Sequence, residues 1–363
     1  MIESQMLREI HEQPAAATRT IEALVPMRPE IAALAEGRRH VLFAARGSSD
    51  NAGLYGRYLL ETYAGRPAAM LAPSVFTHYQ ATVDLSDTLV VTVSQSGSTQ
   101  ELVETQALVR AQGAATVAIT NVADSPLAAE ADLALVTQAG PELAVPATKT
   151  YLGQTIAMAV LATALSPTPT TLDAELAELP QRIAQVIAAG TGVDEAACAL
   201  AEAMGPTIVT GRGLLLGTAL ETALKIEETC LRPVRGYSYA DLRHGPIAVV
   251  RPGAVAVLVC AQDGPLTGPM TELAGALAER GATVIGIGGD DEFVRACGLH
   301  VPAPAAPETL APIGTIVPAQ LVVERLAARL DLDPDNPRGL AKVTQTEADS
   351  SSDDRVIPKG PLT

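Results

Sequence analysis

Positive charge is scarce in this sequence. Lys and Arg number 25 against 41 Asp and Glu, a net charge of −16, which excludes a polyanion partner because nucleic-acid binding needs a basic surface that releases counterions. A small anionic ligand would require a site that is positive locally. Cysteine is sparse too. Cys198, Cys230, Cys260 and Cys297 stand far apart with no CxxC spacing, so buried free thiols are expected, not a disulfide framework or a zinc site. No residue pattern calls for a metal or an organic cofactor. No run of 18 or more apolar residues is free of breakers and charges, and the start, MIESQMLREIHEQP, lacks both a basic leader with an apolar core and a small-residue cleavage site. No membrane association is expected, and the expected location is the cytosol.

Apolar residues, by contrast, are abundant. They make up 48% of the 363 residues, with only 18% charged, enough for about two domains with buried cores. The chain also repeats itself. VLFAARGSSDNAGLYGRYLLE, beginning at Val41, has a counterpart in TIVTGRGLLLGTALETALKIEE, beginning at Thr207; Arg46 and Arg212 lie 166 residues apart. AQGAATVAITN matches AERGATVIGIGG at an offset of 168, from Gly113 to Gly281. Both copies alternate short, near-continuous apolar strands, such as 88–93 and 114–119, with helical segments such as 99–112. That pattern predicts parallel sheets covered on both faces, hence two flavodoxin-like, three-layer αβα sandwiches. The Pro- and Thr-rich stretch 166–180 reads as the connector between them.

One strand–helix junction stands out. In VVTVSQSGSTQELVE, residues 90–104, a strand runs into Ser94, Gln95, Ser96, Ser98 and Thr99 before a helix begins. Ligands of open parallel sheets bind beyond the carboxyl ends of the strands, where helix N-termini favour anions, so a phosphate cradle built of hydroxyls without Lys or Arg is expected here. Arg46-Gly47-Ser48-Ser49 occupies the equivalent place after the preceding apolar run. A capping box between Ser98 and Glu101 is the competing explanation, but it leaves Ser94, Gln95, Ser96 and Thr99 without a task. The second copy reads AQDGP where the first reads SQSGS, so only the first keeps the hydroxyls.

Lysine is the rarer basic residue, with only Lys149, Lys225, Lys342 and Lys359. Its amine can condense with a carbonyl, which a guanidinium cannot do. His244, in DLRHGPIAVV, follows Glu228 by sixteen residues. An imidazole and a carboxylate are a usable proton-transfer pair if they face one pocket. A turn position for His244, and a solvated helix face for Glu227 and Glu228, remain open on spacing alone.

RGSSDN, SQSGST, AVPATK, ALKIEE, DLRHGP and NPRGLAKVTQT, in this order, resemble the tandem sugar isomerase (SIS) domains of glucosamine-6-phosphate synthase and of the SIS-type glucosamine-6-phosphate deaminases. The resemblance divides the chain into an N-terminal helical segment 1–29, SIS units at 30–168 and 180–330, a segment 331–347 carrying Lys342, and a polar tail 348–363. It implies that Ser94, Gln95, Ser96 and Thr99 hold a sugar phosphate, and that Ser48, Ser49 and the backbone around Val145 and Ala147 line the sugar. Lys225 and Glu228 match the family's helix positions, Lys225 as a substrate-binding residue and Glu228 as the proton shuttle between C1 and C2. Lys342 would form a Schiff base with the open-chain ketose. His244 would open the sugar ring from across a homodimer interface. The ligand implied is a phosphorylated amino sugar or ketose 6-phosphate.

Two departures bear on the reaction. The synthase carries a glutaminase domain whose nucleophilic cysteine follows the initiator Met, whereas Ile2 stands here, so ammonia release is expected and not synthesis from glutamine. Pro233-Val234-Arg235-Gly236 replaces an acidic step common in the family. The expected reaction is glucosamine 6-phosphate and water to fructose 6-phosphate and ammonia. A fructosamine-6-phosphate deglycase with a roomier pocket, or a non-catalytic phosphosugar sensor, are the rival expectations.

Overall fold

The structure is a computed structural model that describes residues 3–343; the expected polar tail, with Lys359, and the end of the 331–347 segment lie outside the described residues. The first sheet contains β1 (His40–Ala44), β2 (Ala68–Met70), β3 (Thr88–Val93), β4 (Ala115–Thr120) and β5 (Leu133–Val136). The second contains β6 (Thr207–Gly211), β7 (Val234–Ser238), β8 (Val255–Cys260), β9 (Thr283–Gly288) and β10 (Leu299–Val301). All neighbouring strands are parallel. Their orders, β2-β1-β3-β4-β5 and β10-β9-β8-β6-β7, are the same 2-1-3-4-5 winding read from opposite ends. The internal repeat is therefore a repeat of structure.

The central strands form on short, near-continuous apolar runs. Every residue of β3, β4 and β8 is buried, because a strand covered by helices on both faces needs apolar side chains on both. Between the sheets pack the helices Ser48–Leu59, Lys149–Leu165, Leu216–Cys230 and Ala311–Arg329. One apolar cluster runs through both units, including Phe43, Tyr55, Tyr151, Ile226 and Ile316. The close approach of two of these helices depends on Gly217, where a Cβ would lie 2.5 Å from the Asn51 carbonyl oxygen. That contact packs the second unit's helix Leu216–Cys230 directly against the first unit's helix Ser48–Leu59.

Residues 166–172 are irregular, and the helix Asp173–Ala189 then runs through Pro180. Burial of Leu176, Leu179 and Ile183 on one face compensates for the lost backbone donor. The four thiols are free; Cys230 and Cys260 are buried, while Cys198 and Cys297 are only partly so, against the expectation for all four. Burial pushes the Cys230 thiol up to about 12. No single described helix is long and apolar enough to cross a membrane.

Candidate functional site

The carboxyl ends of β1 and β3 open into a cleft of about 420 Å³. This is the point where the winding reverses, so the connections leave to opposite sides and a crevice remains. From β1 come Arg46, Ser48 and Ser49; from β3 come Ser94, Gln95, Ser96 and Thr99. Ser48 and Ser49 begin the helix Ser48–Leu59, and Thr99 is the N-cap of the helix Gln100–Ala111. Two helix N-termini thus bring positive dipole ends to one place.

The β3 loop is folded by its own hydroxyls. Ser94 Oγ accepts from Gly97 N at 3.2 Å and Ser96 Oγ from Ser98 N at 3.2 Å, a local bonding that serines offer readily. Gly97 has φ +62°, and a Cβ there would meet Ser125 Oγ at 2.2 Å, so both conformation and space demand glycine. Each hydroxyl keeps its own O–H to donate.

Thr99, not Ser98, takes the N-cap position, and the Glu101 carboxylate turns toward the neighbouring loop. It accepts from Arg46 Nε at 3.0 Å and Nη2 at 2.6 Å. Arg46 lines the same cleft as the hydroxyls, because the parallel pairing of β1 with β3 brings the two loops side by side. In the second unit the crevice between the ends of β6 and β8 is about 10 Å³, and Arg212 lies 4.4 Å from the Tyr239 ring centre. Of these two crevices, the one in the first unit has room for a sugar.

The opposite wall brings Lys225 and Glu228 from the helix Leu216–Cys230. Lys225 is buried, with Nζ 2.5 Å from Glu228 Oε2 and 3.5 Å from Glu221 Oε1. Glu228 keeps a quarter of its side chain exposed, whereas Glu227 faces solvent. Glu221 is fully buried and accepts from Asn51 Nδ2 at 2.9 Å. Burial raises its pKa in spite of Lys225. Burial opposes the Lys225 charge, but Glu221 and Glu228 together outweigh it and hold the ammonium protonated above its ordinary range.

Lys342 enters from the C-terminal segment, its Nζ 2.6 Å from Glu142 Oε2 and 2.7 Å from the Ala144 carbonyl oxygen. Glu142 is buried and also accepts from Thr148 N at 2.9 Å, Thr150 N at 3.1 Å and Thr150 Oγ1 at 2.6 Å. Burial works against its ionisation, yet Lys342 and those donors hold its carboxyl below the usual range. Val145, Ala147, Thr150 and Gln154 complete the wall. Gln154 Nε2 donates to Ser49 Oγ at 2.9 Å.

The structure thus gathers Ser48, Ser49, Ser94, Gln95, Ser96, Thr99, Val145, Ala147, Lys225, Glu228 and Lys342 around one cleft. His244 is not among them. It lies exposed at the end of the short helix Tyr239–Arg243 in the second unit. The 233–236 segment does not line the cleft either, since Val234–Ser238 is the edge strand β7. Lys149, unusual in its sequence setting, is buried and ion-paired with Glu12 of the N-terminal segment. Glu142, Glu221 and Gln154 escaped the sequence reading. Glu221 alone carried a signal, four residues before Lys225 on one helix face. Among the described residues no group of three or more His, Cys, Asp or Glu could hold a metal ion.

Comparison with known proteins fits this geometry. The chain is 34% identical over 361 residues to glutamine–fructose-6-phosphate aminotransferase (isomerizing) of Symbiobacterium thermophilum, covering 94% of this chain and 59% of that protein. It spans about three-fifths of the length of the curated relatives it matches. The C-terminal domain of glucosamine-fructose-6-phosphate aminotransferase from Francisella tularensis superposes with a TM-score of 0.84 at 28% identity, over 92% of this chain and 98% of that one. Glucosamine-6-phosphate deaminase from Thermotoga maritima shares the fold, with a TM-score of 0.77 at 24% identity over 94% of this chain and 100% of that one. The SIS domain family profile matches residues 34–164 and 205–329, one match on each sheet with its helices, and the chain belongs to the SIS domain family.

Proposed function

We propose that this chain is a phosphosugar aldose–ketose isomerase that releases ammonia, converting glucosamine 6-phosphate and water to fructose 6-phosphate and ammonia. One observation carries the reading: a hydroxyl-lined cradle at two helix N-termini shares a single cleft with a carboxylate–lysine pair and a second lysine. The names of the relatives attach the same fold to hexose 6-phosphates.

In this mechanism Ser94, Gln95, Ser96 and Thr99 hold the phosphate, and Ser48, Ser49, Val145 and Ala147 line the sugar. With the ring open, Glu228 takes the proton from C2 and returns it to C1, leaving an imine at C2. Water adds to that imine, and loss of ammonia leaves the ketone. Lys225, kept cationic by its two glutamates, offsets the negative charge that develops as the C2 proton leaves. Lys342 forms an imine with the ketose carbonyl on the product side, losing one water, and hydrolysis of that imine returns the water and releases the ketose. The functional unit of this proposal is a homodimer in which His244 opens the ring in the partner subunit's cleft; its exposure outside its own cleft supports that role.

The test is a panel of phosphorylated amino sugars and fructosamines with the purified protein, measuring ammonia and free amino acids. Ammonia from glucosamine 6-phosphate supports the reading. Free amino acid from a fructosamine 6-phosphate would replace it with deglycation, and binding without turnover would replace it with sensing.

A further inference from the structure

The first helix, Gln5–His11, contributes nothing to the cleft wall, yet it touches both segments that hold Lys342. We infer that Glu9 is a positioning residue for Lys342, acting through the loop 142–145; what Lys342 does rests on the function proposed above. Glu9 is completely buried. Its Oε1 accepts from Leu143 N at 2.5 Å and from Gln5 Nε2 at 2.9 Å, and its Oε2 accepts from Ala144 N at 3.3 Å. The Leu143 side chain is 69% exposed, so at that residue the loop is held by its backbone and not by side-chain packing.

The same short loop faces Lys342 on its other side. Glu142 contributes its carboxylate and Ala144 its carbonyl to the Lys342 ammonium. A peptide unit is rigid and planar, so holding the N–H groups of Leu143 and Ala144 fixes the Cα atoms of Glu142 and Ala144, from which the Glu142 side chain and the Ala144 carbonyl extend to Lys342. A second strap runs parallel to the first. The Asp335 carboxylate accepts from Gln5 N at 2.8 Å and Met6 N at 2.7 Å, while its backbone carbonyl accepts from Val145 N at 2.9 Å. The helix, the loop and the Lys342 segment form one hydrogen-bonded unit. A carboxylate suits position 9 because it is acceptor-only, with two oxygens for two successive N–H groups; an amide would turn a donor toward one of them.

Glu9→Gln tests this with two readouts. The rate of ammonia release from glucosamine 6-phosphate at saturation should fall roughly 10- to 100-fold, as expected for a misplaced reacting group, while KM stays within about threefold because the phosphate cradle lies on other elements. Amide hydrogen exchange should quicken at 142–145 and 338–343 and stay unchanged in the helix Gln100–Ala111. If the glutamine variant does not fold, Glu9→Asp, which keeps the charge one methylene short, carries the same comparison. Unchanged exchange in the two segments overturns the inference. So does faster exchange with an unchanged rate, or a lower melting temperature with a wild-type rate well below it. Should the wild-type protein release no ammonia, the proposed function fails, and the exchange result alone decides whether Glu9 positions the loop.

Discussion

The guanidinium of Arg46 meets the carboxylate of Glu101 at two points, 3.0 Å and 2.6 Å apart, and so ties the loop after β1 to the helix that follows β3. Two-point arginine–carboxylate pairs are geometrically specific as well as strong. The two halves of the cradle are thereby held in register. Arg46→Ala should weaken fructose 6-phosphate binding by about 1–2 kcal/mol, with Arg46→Lys recovering only part, since an ammonium cannot span two oxygens. Calorimetric affinities equal to wild type would place the clasp outside the binding function.

The hydroxyls of the cradle should matter more for binding than for folding. Ser96→Ala combined with Thr99→Ala is expected to cost about 1–3 kcal/mol of phosphosugar affinity, the loss of hydrogen bonds to a charged group. The melting temperature should change little. Unaltered affinity with a lowered melting temperature would mean that these residues only shape the loop.

Glu228→Gln should abolish most turnover and leave phosphosugar affinity nearly intact, because a proton shuttle acts in the transition state and not in ground-state binding. Lys342→Arg should fail as well, since a guanidinium forms no imine at neutral pH. A near-normal rate in either variant removes that residue from the mechanism.

Glu142 links the site to stability. Its folded pKa lies below the ordinary 4.5: burial opposes ionisation, but Lys342 and the Thr148 and Thr150 donors prevail. Between the folded value and 4.5 the unfolded chain binds more protons, so stability rises with pH through that window. The contribution is complete above it and is lost as pH falls through the folded value. Glu142→Gln should therefore cost about 2–3 kcal/mol at neutral pH, less than for a fully buried pair because Lys342 retains contact with water. In urea titrations the gap to wild type should narrow below pH 4.5. A gap independent of pH would assign the loss to packing.

A mixing experiment locates the action of His244. If the protein is the homodimer proposed above, neither the Glu228→Gln nor the His244→Ala variant should turn over appreciably. Unfolded and refolded together, each mixed dimer holds one site with both defects and one with neither, so roughly a quarter of wild-type activity should return with random pairing. No recovery, with mixed dimers confirmed by mass spectrometry, would mean that His244 serves its own chain, and near-normal turnover by the His244→Ala variant alone would mean that it serves no catalytic step.

Fold class and the hydroxyl-bearing loop at the end of β3 were legible in the sequence because both are written in local patterns. β3, β4 and β8 read TLVVTV, ATVAIT and VAVLVC, with apolar residues or Thr at every position, marking parallel strands covered on two faces. The hydroxyls fall directly after one of those runs, where the winding leaves its crevice. The Arg46 clasp, the partner of Lys342 and the bracing by Glu9 were not legible. These contacts join residues 55, 200 and 134 positions apart, and no periodicity or spacing announces them. A carboxylate in a sequence reads alike whether solvated or buried. Glu142, Glu221 and Glu9 acquired their partners and their altered ionisation only when packing removed water and brought distant donors within reach, and that is a property of the tertiary structure alone.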